Sequence, residues 1–280
     1  MLSALSALRQ TRPADEVLVL CDGCSDGTAE AVRALGDERV TAIELPKASG
    51  YAYGHRNRAL ELARSSVVTW LADDDLLLPD HLERVGEYWD TGMFGIVTTP
   101  AAIVHPDDSM EWIGQDWSVP WNRREMQHRN TNVMASVSVA VDLARDVGGW
   151  DAALARAADW DLWKRVLATG TSAAMTAEAT VLHFRATGRD QAWPLRVRQN
   201  TDWLEKISDP ARLPGARRTL RRLNAEHDSK LRQELAERDA LLRQIHESSW
   251  WRLREDALRL GSRSRRLWRE LRAALPHPGR

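Results

Sequence analysis

Cysteine is almost absent: the 280 residues contain two, Cys21 and Cys24, too few for a disulfide framework. Their Cys-x-x-Cys spacing matches a redox or zinc half-site, but no second Cys/His pair sits at ligand spacing. Two free thiols in a reducing cytoplasm are the competing reading. No apolar run reaches the roughly 18 to 20 residues that span a bilayer. The start, MLSALSALRQTRPADE, puts no charged segment ahead of an apolar block and does not read as a secretion signal. Lysine occurs only at 47, 164, 206 and 230. Nearly all the positive charge is therefore arginine, which in so arginine-rich a chain does not by itself imply phosphate binding.

What is present is ordinary for a globular protein, 43% hydrophobic and 28% charged residues, with length for one large domain or two small ones. The net charge of −1 conceals two unlike halves. From residue 210 onward there are 18 Arg and Lys against 9 Asp and Glu, and of the totals 39 and 40 this leaves 21 against 31 before it. The basic excess is confined to a tail that also carries acids, so nucleic acid is not an expected partner.

Residues 1–205 alternate strand-like and helix-like stretches. VLVL (17–20), VTAIEL (40–45), VVTWL (67–71) and FGIVTTPAAIV (94–104) are short and apolar or β-branched. Between them, 28–36, 56–66 and 79–89 have helical patterns, the last with Pro79 and Asp80 suited to a helix start. Such alternation predicts an α/β layer with a mostly parallel sheet, whose ligand sits beyond the carboxyl ends of the strands. Two acidic loops, DGCSD after the first strand and ADDD after the third, fall at such ends. Each alone reads equally as a polar turn, with Asp26 or Thr28 capping the next helix. Residues 206–225, with two prolines and a glycine, read as a linker. Beyond it Leu231, Leu235, Leu242 and Ile245 recur at near-heptad spacing, interrupted by Arg238. The end is a basic amphipathic stretch with Trp250, Trp251 and Trp268, suited to an anionic membrane surface, to a partner or to self-association.

Four motifs in order carry a resemblance. LCDGCSDGT (20–28) is similar to a VDDGSTDGT segment, and GYAYGHRNRA (50–59) to a G-x-x-x-A-R-N-x-A/G segment. WLADDDLLLP (70–79) resembles a strand leading into xDD and proline, and VGGWDAALARAADWDLWKRVLATG (147–170) a "vGgfde…eDwdlwlRl…G" block. Together they resemble the family 2 glycosyltransferases of the GT-A fold, bacterial type, over about 170 residues. The resemblance implies an inverting enzyme that moves a sugar from a nucleotide-diphosphate donor to a hydroxyl of a glycan or glycolipid. It implies a divalent metal, Mn²⁺ or Mg²⁺, on Asp74, because a hard cation neutralises the departing diphosphate and takes carboxylate oxygens. Asp22, Arg56 and Asp73 are the implied donor contacts, with Asp75 in support. Asp159 is the implied general base, with Asp161 the runner-up. Trp160 and Trp163 read as packing or as walls of an acceptor cleft, and His183 as a third metal ligand or a structural residue.

Departures are visible too. Cys21 replaces an aspartate, Ala72 stands where many members begin DxD, and Ala158 precedes Asp159 in place of an acid. Members also open with a V-S-V-I-I-P-T-Y-N strand some 30 residues before the first acidic loop. This chain opens instead in what reads as the next helix along, with Leu2, Leu5 and Leu8. The expectation is that such a strand is encoded upstream of Met1. A catalytically impaired protein of the same fold, binding partners through its helical tail, is the alternative reading. The expected location is the cytoplasm, and contact of the tail with the inner face of the cell membrane is one reading beside packing on its own protein or on a partner.

Overall fold

The computed structural model describes residues 1–185 and 192–247. Trp250, Trp251 and Trp268 lie outside the described residues. The chain divides into two units, Met1–Asn224 and Ala225–Arg280.

The first unit begins with α1 (Leu2–Leu8), β1 (Val17–Asp22), α2 (Thr28–Arg33), β2 (Val40–Leu45) and α3 (Tyr53–Leu62). After these come β3 (Val67–Thr69), β4 (Leu76–Leu77), α4 (His81–Trp89), β5 (Ile96–Thr98), β6 (Ala101–Val104) and β7 (Met110–Ile113). The chain continues through α5 (Pro120–Glu125), β8 (Val137–Ala140), α6 (Val141–Asp146), α7 (Ala158–Ala168), β9 (Ala173–Met175) and β10 (Val181–Phe184). Two helices close the described chain, α8 (Ala192–Ser208) and α9 (Leu213–Glu247).

The fold is α/β, with sheets flanked by helices. Its strand pairing is mixed and not mostly parallel: among the described residues three of seven pairings, β1–β2, β5–β9 and β6–β10, are parallel. The β6–β7 pair explains part of the difference, because a turn at 105–109 leaves room only for a hairpin, which must be antiparallel. The stretch 94–104 is two strands in two sheets, orders β3-β8-β5-β9 and β4-β10-β6-β7. Pro100 has no amide to donate to a ladder, and the chain changes sheet there.

The larger core gathers around Trp150, Trp163, Trp117 and Ile96. A second core packs Leu76, Leu182 and Phe184 against Leu204, Ile207, Ala216 and Leu220. Residues 206–225, expected as a linker, therefore form part of a packed core. Pro214 is the second residue of α9, and proline is tolerated in a first turn, where its missing N–H has no helical partner to lose. In the second unit α9 runs on through Leu231 and Leu235, which are 47% and 53% exposed.

Candidate functional site

The first acidic loop leaves β1 at Asp22. Its carboxylate accepts hydrogen bonds from Lys47 Nζ at 2.6 Å and the Ala48 amide at 2.6 Å, and contacts His55 Nε2 at 3.1 Å. Burial would raise the Asp22 carboxyl, but Lys47, the Ala48 N–H and His55 outweigh it, so the net effect holds it below the usual carboxylate range. Four residues on, Asp26 Oδ1 accepts from the amide and hydroxyl of Thr28 at 3.1 and 2.6 Å. The turn reading thus describes Asp26, while Asp22 faces a basic cluster.

Helix α3 is the hub. Its His55 is the residue that reaches Asp22. Arg56, next in sequence, lies over the rings of Tyr53 and Trp150 at 5.3 and 4.9 Å and donates to the Tyr51 carbonyl at 2.8 Å. Burial pulls its pKa down, while Tyr53 and Asp159 push it up by charge, so Arg56 and Asp159 feel one another. Asn57 then clamps Trp150 by its backbone, accepting from its amide at 2.7 Å and donating to its carbonyl at 2.8 Å. Three consecutive side chains thereby join β1 to the loop before α7. That loop turns at Gly148 and Gly149, both at positive φ, and a Cβ on Gly149 would lie 2.5 Å from Asn57 Oδ1. Only glycine fits there without displacing the clamp.

Asp159 is half-buried in the first turn of α7, where helix amides favour a carboxylate. Among the described residues nothing hydrogen-bonds its carboxylate. Asp161, the runner-up base, is committed elsewhere. It pairs with Arg165 at 2.8 Å, and Arg165 also donates to the Gly149 carbonyl at 2.7 Å and to that of Val147. Trp163 is fully buried and packs edge-on against Trp150 at 6.0 Å, a packing role. Trp160 is partly buried and donates to the Met126 carbonyl at 2.6 Å.

The three aspartates of ADDD point three ways. Asp73 is exposed, and its carbonyl accepts from Ser3 Oγ at 2.7 Å. Asp74 forms an ion pair with Arg196 of α8, and its carbonyl accepts from Asn200 Nδ2 at 3.2 Å. Burial, then the charges of Asp75 and Asp73, raise the Asp74 carboxyl against the pull of Arg196 and His183. Asp75 is 2% exposed and accepts from the Phe184 amide at 3.3 Å while meeting His183 Nδ1 at 2.9 Å. Burial lowers the His183 pKa, but the Asp75 bond and charge, with Asp74, carry it above its ordinary value.

Among the described residues no three His, Cys, Asp and Glu side chains converge as a ready metal site. The donor set nonetheless fits a hard cation that takes one or two protein oxygens and completes its shell with substrate phosphate and water. Asp74 and Asn200 line one cavity of about 220 Å³ with Asp73, Arg196 and Leu2, and Asn200 Oδ1 is buried with no hydrogen-bond partner among the described residues. Sequence reasoning missed His55, Arg196 and Asn200. His55 left a trace, since it replaces the alanine of the A-R-N segment. Arg196 and Asn200 come from a helix more than 120 residues away and left none.

Residues 3–141 match the family model described as Glycosyl transferase family 2. TuaG of Bacillus subtilis (strain 168), assigned to teichuronic acid biosynthesis as a glycosyltransferase, is 35% identical over 85 residues, 30% of this chain and 33% of that protein. The succinoglycan biosynthesis protein ExoO of Rhizobium meliloti (strain 1021) is 34% identical over 102 residues, 36% of this chain and 29% of that protein. The chain thus spans about a third of the length of these curated relatives. The crystal structure of S. aureus TarS 1–349 in complex with UDP-GlcNAc superposes with a TM-score of 0.57 at 17% identity, covering 67% of this chain and 55% of that one. The crystal structure of S. aureus TarS gives 0.54 at 15% identity, covering 72% of this chain and 36% of that one. The fold is therefore that of the GT-A enzymes.

Proposed function

From the match of residues 3–141 to the glycosyl transferase family 2 model, we propose that the chain transfers a sugar from a nucleotide-diphosphate donor to a hydroxyl of a cell-surface glycan or glycolipid, with inversion. The observation that carries this reading is the run His55-Arg56-Asn57, which links the strand-end carboxylate of Asp22 to the α7 start that bears Asp159. The relative captured with UDP-GlcNAc supports a nucleotide-sugar donor. The names of TuaG and ExoO support a polysaccharide acceptor.

In this reading Asp22, held ionised by Lys47 and the Ala48 amide, accepts hydrogen bonds from the nucleoside, with His55 fixing its orientation. Asp74 would hold Mn²⁺ or Mg²⁺ in the cavity that it lines with Asn200 and Asp73. The cation supplies charge neutralisation to the departing diphosphate. Asp159, whose carboxylate accepts no hydrogen bond among the described residues, takes the proton of the attacking hydroxyl. One activated hydroxyl displacing one leaving group inverts the anomeric carbon. Arg56 sits on the Asp159 side, its cation facing both the aromatic wall and the base.

The test is UDP-GlcNAc turnover, as transfer or hydrolysis, with and without Mn²⁺, for the wild type, Asp74→Ala and Asp159→Asn. Metal-stimulated turnover lost in both variants is the expected result. Turnover that survives both changes refutes the site assignment, and neither turnover nor binding with a panel of nucleotide sugars refutes the activity.

A further inference from the structure

We propose that the ring of Tyr51 is a platform on which a pyranose stacks beside the Asp159 end of the site. Which sugar of the reaction it takes rests on the transferase reading, whereas the stacking itself does not. Three aromatic rings form a column. Tyr51 lies over Tyr53 with centroids 5.9 Å apart and planes 20° apart, and Tyr53 over Trp150 at 5.7 Å and 10°. Exposure rises along the column, from 2% at Trp150 and 9% at Tyr53 to 56% at Tyr51. One face of the Tyr51 ring therefore rests on a buried stack, and no other ring covers it among the described residues. The mount is stiff. Arg56 donates to the Tyr51 carbonyl at 2.8 Å, and its guanidinium lies 5.3 Å from the Tyr53 ring and 4.9 Å from that of Trp150. Ala52, between the two tyrosines, has φ +56° and caps α3, a left-handed conformation that disfavours an L side chain.

The column leads to the site. Trp150 meets Trp163 edge-on at 6.0 Å. Trp163 stands four residues after Asp159 on α7, so the two share one helix face, a turn apart. Arg56, which flanks the column, also feels the charge of Asp159. A pyranose carries axial C–H groups on one face, weakly positive and apolar, and these complement the negative face of an aromatic ring. Its hydroxyls point outward around the rim, where water still reaches them. An open ring fixed on a rigid stack gains such a contact without first losing side-chain freedom. Donor sugar and acceptor glycan meet at the base, so the pyranose on Tyr51 belongs to one or the other.

The experiment compares the full chain with its Tyr51→Ser and Tyr51→Phe variants. Calorimetry measures binding of UDP, of UDP-GlcNAc and of chitotetraose, each with Mn²⁺, and saturation-transfer NMR reads which sugar protons touch the protein. The expected result is that Tyr51→Ser weakens one of the two sugar ligands about five- to tenfold relative to UDP. Tyr51→Phe is expected to restore that binding, and the axial C–H protons to lose their saturation signal in Tyr51→Ser alone. A loss confined to UDP-GlcNAc assigns the platform to the donor sugar, and a loss confined to chitotetraose assigns it to the acceptor. No loss with either sugar, an equal loss with UDP, or Tyr51→Phe as damaging as Tyr51→Ser would each overturn the inference. If the wild type binds no UDP, the donor reading fails by itself, and the chitotetraose measurements alone decide whether Tyr51 holds a sugar.

Discussion

His81 makes the stability of the fold depend on pH. It opens α4, six residues after Asp75, and is fully buried. Its Nδ1 lies 2.8 Å from Thr180 Oγ1, and its Nε2 has no partner among the described residues. Burial lowers its pKa from 6.5 to about 4, and the neighbouring Asp80, itself engaged by Arg84 and Arg217, only partly opposes this. Between those values the folded ring is neutral while the unfolded ring is protonated, so the unfolded state binds more protons. Stability therefore rises with pH across this window and is lost as pH falls through it. The span from 6.5 to about 4, at roughly 1.4 kcal/mol per unit, makes the loss from pH 7 to pH 4 about 3 kcal/mol. His81→Leu removes this titration. It also strands the Thr180 hydroxyl, a pH-independent cost of about 1 to 3 kcal/mol. Urea unfolding tracked by tryptophan fluorescence at pH 7, 6, 5 and 4 separates the two effects. The variant should start less stable, and the gap should close or reverse by about 3 kcal/mol at pH 4. Groups common to both proteins, such as Asp22, cancel in the difference. A gap that stays constant from pH 7 to pH 4 refutes the reasoning, because it would mean that the ring does not reach its buried state neutral.

Asp159→Asn should cut the turnover number about 10²- to 10⁴-fold, the range for losing a positioned base, with UDP binding by calorimetry unchanged. Chelation with EDTA should abolish turnover and Mn²⁺ should restore it in the wild type, whereas Asp74→Ala should remain inactive across a Mn²⁺ titration. Gly149→Ala should destabilise the first unit by about 2 kcal/mol in urea melts, since positive φ costs an alanine roughly 1 to 2 kcal/mol and its Cβ would press on Asn57. An Asn57→Ala change should cost a similar amount, and the double variant less than the sum, because both act on one clamp.

Much of the fold is legible because its signals are local. VTAIEL is rich in apolar and β-branched residues and stands between Arg39 and Pro46, and it forms β2 over the same residues, Val40–Leu45. The helix expected from Leu2, Leu5 and Leu8 is α1. The failures share a cause: proline and glycine mark a change of direction but leave open which element the chain enters next. At Pro100 the strand pattern continues across the break, but the pairing moves to another sheet. At Pro210, Pro214 and Gly215 the same residue types read as a linker, yet Leu213 starts a helix whose Ala216 and Leu220 are buried. Burial of that face depends on Leu76, Leu182 and Phe184, far away in sequence, so no window around residue 214 contains the information.

The candidate site divides in the same way. Asp22, Asp74 and Asp159 stand out because carboxylates at strand ends and helix starts are rarely needed for packing alone. What tells them apart is each carboxylate's partner, and the partners are distant. Asp161 and Asp159 look interchangeable two residues apart on one helix, but Arg165 occupies the first and nothing described occupies the second. A base must keep its lone pairs for substrate, so the absence of a protein hydrogen bond among the described residues argues for Asp159 alongside its place in the motif. The same comparison separates the neighbours in ADDD. Asp75 spends its oxygens on His183 and the Phe184 amide inside the core, and Asp74 faces a cavity against a single displaceable guanidinium. A cation entering beside Asn200 would compete with Arg196 for that one carboxylate. An Arg196→Met variant should therefore bind Mn²⁺ more tightly than the wild type by calorimetry. Equal or weaker binding would mean that Arg196 helps to assemble the metal site and does not compete for it.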